Sequence, residues 1–146
     1  MQHHLILRVV VKILVAAIIL FALYVQFHGD FSPGGGFQAG VIMAAAFILY
    51  GIVFGMAKVK QVVPEWVVHR MMGLGVLIYA GCGVASMFLG YEFLNYNAFT
   101  PHHPSHGQHY GLLIVEFGVG VTVTGVMISI FYAFASRPPT LKDSDW

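Results

Sequence analysis

A chain of 146 residues with 58% hydrophobic and 9% charged side chains cannot be an ordinary soluble domain. Soluble domains carry roughly 25% charged residues, and one this small leaves too much chain exposed to hide so much apolar surface from water. The net charge of +1 is spread over seven Lys and Arg at the ends of apolar runs, so no basic stripe exists for nucleic acid.

Crossing hydrocarbon takes about 20 apolar residues in a helix. The first run extends from about Arg8 to Phe27. It is too long for a signal peptide and lacks a small-residue cleavage site, since Tyr24, Gln26, Phe27 and His28 follow. A retained span is expected. Lys12 sits about one turn inside it and can snorkel to the interface.

An external loop, 28–36, comes next, with the string His28-Gly29-Asp30-Phe31-Ser32-Pro33-Gly34-Gly35-Gly36-Phe37-Gln38 across it. Three glycines before an apolar run free backbone N–H groups to point at a ligand, as at an ion or anion site on a helix N-terminus. The same residues also suit a tight turn between antiparallel spans, with glycine supplying positive φ. Nucleotide binding is excluded by the missing Lys-Ser/Thr ending and the lack of a preceding strand.

The second span is predicted over 37–57, the third over 67–89 and the fourth over 110–134. Lys58, Lys60, Pro64 and Glu65 separate the second and third. A polar loop, 90–109, separates the third and fourth. Its His102, His103, His106 and His109 invite a zinc reading, but the loop has no cysteine and Pro101 and Pro104 break helical spacing, so no metal site is expected. Cys82 is the one cysteine and lies in an apolar run, where it reads as a small buried hydrophobe. Trp66, Tyr110 and Tyr24 suit an interfacial belt.

With four spans, Arg8, Lys12, Lys58, Lys60, Arg70, Arg137 and Lys142 all fall on one side. The positive-inside rule then puts both termini in the cytoplasm. The fold class expected is an all-α integral membrane protein of four transmembrane helices, N-in/C-in, forming a single membrane domain.

Seventeen glycines include Gly36 and Gly40, repeating at four with Ala44, and the pairs Gly51/Gly55 and Gly118/Gly120. In lipid such residues let helix backbones approach closely. Small faces on every span but the first point to a subunit of a larger complex.

Glu116 is the one acidic residue well inside a predicted span, about six residues or roughly 9 Å beyond Tyr110. A carboxylate in hydrocarbon costs about 2.5–3.5 kcal/mol or more and usually marks a pathway or a protein contact. Gln38 either lines the same vestibule or caps its helix. Thr122, Thr124 and Ser129 are expected to bond their own backbone carbonyls.

The string from Pro33, Gly34, Gly35, Gly36 and Phe37 through Gln38, Ala39 and Gly40 to Leu49 resembles the signature of the B subunit of Mrp-type cation/proton antiporters, the MnhB family. A second match runs from His106-Gly107-Gln108-His109-Tyr110-Gly111 into Glu116-Phe117-Gly118-Val119-Gly120, similar to that family's last helix. Many members carry Gly-His before the glycine run, where this chain has Gly29-Asp30 with His28 one place earlier, and many have Asp in place of Glu116.

The resemblance implies a non-catalytic subunit of a Na⁺/H⁺ antiporter in the bacterial inner membrane. Its implied partners are small membrane subunits and larger ones similar to the proton-pumping subunits of respiratory complex I, which carry the main proton channels. Glu116, Asp30, Gln38 and His28 are then candidates for the external cation and proton mouth. No nucleophile–base constellation and no cofactor motif suggests an enzyme. The alternatives are a subunit of a membrane-bound hydrogenase or complex I-like ion pump, and a stand-alone small transporter using the histidine loop.

Overall fold

The computed structural model describes residues 5–29, 34–99 and 104–136, apart from the side chains of Leu5 and residues 104–106. Among these, α1 spans Leu5–Phe27, α2 Gly36–Phe54, α3 Met56–Val62, α4 Glu65–Phe88 and α5 Pro104–Ala135, with a 3-10 turn at Tyr96–Phe99. Helices α1, α2, α4 and α5 are long and apolar enough to cross a membrane, as the sequence predicts. Hydrocarbon offers the backbone no hydrogen-bond partner, so each span must satisfy its own N–H and C=O groups as a helix.

Among the boundaries that differ from those expected, two have a clear local cause. The second span ends at Phe54, three residues short of the expected 57, because Gly55 adopts φ 93° and interrupts the helix before α3. A Cβ on Gly55 would meet nothing within 4 Å, so this glycine serves the backbone turn and not a packing face of this chain. The last helix begins at Pro104, well inside the expected 90–109 loop. Proline suits the first turn, where its missing N–H has no intrahelical partner to lose. The described residues of that loop before α5 fold onto the helices: Phe93 packs on Gly83, Tyr96 on Gly111, and Gln108 Nε2 donates to Asn97 Oδ1 at 2.9 Å.

Neighbours are ordered α1–α2–α5–α4, while α1 and α4 barely touch. Helix α5 lies between α2 and α4 and carries a different small face towards each. Towards α2 it presents Glu116, Gly120 and Thr124. A Cβ on Gly40 would come 2.7 Å from Gly120 O, and Thr124 Oγ1 donates to Gly40 O at 3.2 Å as well as to its own Gly120 O at 2.7 Å. Towards α4 it presents Gly118, Thr122 and Gly125. A Cβ on Gly118 would lie 2.9 Å from Gly75 O, and one on Gly125 would lie 3.1 Å from Val68 O. Thr122 donates to Gly118 O at 2.9 Å, so both threonines make the backbone bonds expected of them.

The apolar core lies at the α3 end, where Ala44, Val59, Val63, Val68, Ile128 and Tyr132 are buried together. Tyr132 takes its hydroxyl into this core and donates to Val63 O at 2.8 Å. Gly51 fits under the Phe131 ring at the same end.

The described basic residues gather there too. Arg8, Lys12 and Lys58 lie 5.9, 5.9 and 6.0 Å from the Phe54 ring centroid. Lys60 pairs with Glu65 at 2.7 Å and donates to Ser136 Oγ at 3.1 Å, and Arg70 stacks 4.7 Å over Trp66. The glycine run lies at the opposite end of α2. Cys82 is buried, as expected of a small hydrophobe.

Gly75 tests the α4–α5 seam. A Cβ there would strike Thr122 Oγ1 and come 2.5 Å from Gly118 O, whereas a Cβ on Gly73 would meet nothing within 4 Å. Gly75→Ala should lower stability by about 1–3 kcal/mol through overpacking, while Gly73→Ala leaves it unchanged or slightly raised. Thermal unfolding in detergent compares the two.

Candidate functional site

The site forms where α2 starts against α5. Gly35 precedes the helix with φ 143° and ψ −179°, a conformation essentially reserved for glycine. Its carbonyl accepts from Ala39 N at 3.0 Å and so begins the helical ladder. The next residue, Gly36, is buried directly on α5: a Cβ there would collide with the backbone carbonyl of Glu116. The start of α2 and the Glu116 turn of α5 therefore meet backbone to backbone.

That contact places the Glu116 carboxylate under the glycine run. A Cβ on Gly29 would come 2.7 Å from Glu116 Oε2 and 3.1 Å from Oε1. One on Gly35 would come 3.0 Å from Glu116 Oε1 and 3.6 Å from Gln38 Oε1, so the two side-chain oxygens flank one point beside the loop. Glu116 is half-buried, while Gln38 is exposed on the first turn of α2. The carboxylate thus sits at the N-terminal end of α2, where unsatisfied N–H groups and the helix dipole favour negative charge. The described end of the run starts α2 from a positive-φ glycine, and the anion beside that helix N-terminus is the chain's own.

His28 is exposed and its ring stacks on Tyr24, with centroids 4.3 Å apart. Phe37 points outwards with 60% of its surface exposed, and Gly34 is half-buried. Asp30, Ser32 and Pro33 lie outside the described residues, as do His102, His103 and the His106 side chain. Among the described residues, no group of three or more His, Cys, Asp or Glu is placed to hold a metal ion.

One residue of this region escaped the sequence reading. Gln26, on the last turn of α1, is only 6% exposed, and a Cβ on Gly120 would come 2.5 Å from its Oε1. Its α5 contact, Gly120, lies one helical turn beyond Glu116. The signal available was a single amide in a run of otherwise apolar residues, spaced at four from Ala22 and so facing the helix partner.

A family profile described as "Domain related to MnhB subunit of Na+/H+ antiporter" matches residues 6–129. The chain belongs to the MnhB family. Similar relatives include the Staphylococcus haemolyticus protein named "Putative antiporter subunit mnhB2", 32% identical over 136 residues, covering 92% of this chain and 96% of the relative. The protein of the same name from Staphylococcus aureus strain Newman is 31% identical over 137 residues, with the same coverage. The MnhB match takes in both stretches that carried the sequence resemblance, and with its spanning helices this is a multi-pass membrane protein.

Gly35→Ala should both strain the backbone and crowd the carboxylate. A loss of about 1–3 kcal/mol is expected from a side chain in that conformation, read as a lower unfolding temperature in detergent. Relief of the loss by a second change, Glu116→Ala, would separate crowding from backbone strain.

Proposed function

We propose that this MnhB-family chain is a non-catalytic subunit of a multisubunit monovalent cation/proton antiporter, with Glu116 at the mouth of the cation route. The relatives of nearly full-length coverage are named as antiporter subunits, which supports the subunit role. The observation that carries the site is the carboxylate held between Gly29, Gly35 and the start of α2.

In this reading both termini and α3 face the cytoplasm, following the basic residues at that end. The glycine run then faces outwards. Glu116, half-buried beside Gly29, Gly35 and the start of α2, is then the carboxylate for which a proton and Na⁺ compete at the outer surface. Gln38 supplies a neutral oxygen beside it, suited to a partly dehydrated cation. Asp30 and His28 belong to the same loop and add charge at the approach. Larger partner subunits resembling those of respiratory complex I carry the main proton channels, and small membrane subunits pack on the remaining faces.

Glu116→Gln in an antiporter-deficient host tests the assignment. The amide keeps the shape and removes the charge that proton and cation compete for. The complex should assemble at normal yield while Na⁺ efflux falls to the host background, and Glu116→Asp should restore part of it. Normal assembly with normal efflux across pH would remove Glu116 from the pathway, and loss of assembly would make its role structural.

A further inference from the structure

The open row α1–α2–α5–α4 leaves a groove on the side where α1 and α4 barely touch. Its cavity holds about 290 Å³ and takes lining from all four spanning helices, among them Gln26, Met43, Phe47, Met71, Phe117 and Thr124. The wall is apolar except for two side chains. Thr124 is satisfied, since its hydroxyl reaches both Gly120 O and Gly40 O. Gln26 is not: it is 94% buried, and among the described residues its Nε2 has no hydrogen-bond partner.

A buried amide without a partner carries a desolvation cost that a fold rarely leaves standing. Three occupants could cover the groove, and they differ in what they offer this donor. A lipid acyl chain fills apolar volume and supplies no acceptor. Water needs two to four polar partners to settle in a cavity, and apolar cavities stay dry; here only one unsatisfied group is present. A transmembrane helix supplies both apolar side chains for Met43, Phe47 and Met71 and a fixed oxygen for the amide. Polar side chains bridging helices in this way are a recurrent glue in membranes.

We infer that the groove between α1 and α4 seats a transmembrane helix of another subunit of the complex, which presents a hydrogen-bond acceptor to Gln26. The terminal amide torsion is broad, so the group turns towards the groove once the acceptor is fixed there. Methionines on two walls adapt to the incoming helix, being unbranched and easily reshaped. The chain is then incomplete as a bundle by design of its helix order: the missing wall belongs to a partner.

The test uses the whole complex expressed in an antiporter-deficient host, with a photo-crosslinking phenylalanine analogue replacing Met71. Irradiation should give a covalent adduct with another subunit of the same complex, identified by mass spectrometry of the adduct. Gln26→Met should lower the adduct yield about threefold, the weakening expected for one interhelical hydrogen bond in a membrane. The level of this chain in the membrane should not change. Gln26→Asn should retain part of the adduct.

An adduct with phospholipid only, no adduct, or a yield indifferent to Gln26→Met would overturn the inference. So would a fall in the membrane level of the Gln26→Met chain, which would assign the amide to this chain's own fold. Loss of Na⁺ efflux with the adduct intact would place Gln26 on an ion path instead and would equally overturn it. The adduct is read without transport, so its failure leaves the Glu116 assignment to be decided by its own variants.

Discussion

Close approach of backbones at α5 is the constraint on which everything else depends. Lipid removes the hydrophobic drive that would hold helices together in water, leaving dispersion and interhelical hydrogen bonds. Those fall off steeply with distance. Gly36 and Gly40 on α2, Gly75 on α4, and Gly118, Gly120 and Gly125 on α5 remove the side chains that would keep the axes apart. Both seams then bring carbonyls and threonine hydroxyls into reach, as Thr124 shows by donating to Gly40 O.

The candidate site is a consequence of the same approach. Gly36 meets Glu116 at the backbone, and the carboxylate lies beside Gly29 and Gly35. Glycines at 29 and 35 make room for its oxygens, and the start of α2 supplies a field that favours their charge. A conventional helix cap with a side chain would have occupied that space. The packing motif and the proposed ion site are therefore one arrangement of glycines.

Much of this was legible in the sequence, and what was not has physical reasons. Apolar runs long enough to cross hydrocarbon announce themselves, and Glu116 stood out because a charge in such a run is costly. The pairing of Glu116 with Gly29 and Gly35 was hidden, since nothing in a linear pattern says which turn of α5 meets which glycine. Gly55 read as one of a packing pair with Gly51, although its work is conformational: spacing reveals a shared face but not a positive φ. Pro104 read as a breaker when it starts α5, because proline disrupts a helix interior yet suits a first turn. Gln26 was passed over because an isolated amide near a helix end has an ordinary explanation at the interface. Only its burial and missing partner set it apart.

The break at Gly55 also fixes how the subunit sits in its solvent. It limits α2 to 19 residues, roughly 28 Å at 1.5 Å per residue, close to the ~30 Å of bilayer hydrocarbon. Helix α5, with 32 residues, is about 48 Å long by the same measure and must tilt or project beyond the hydrocarbon. With α3 turned aside and Arg8, Lys12 and Lys58 clustered around Phe54, the short helix becomes the depth gauge. Its length alone matches the hydrocarbon thickness, and the Glu116 turn of α5 packs at its opposite end.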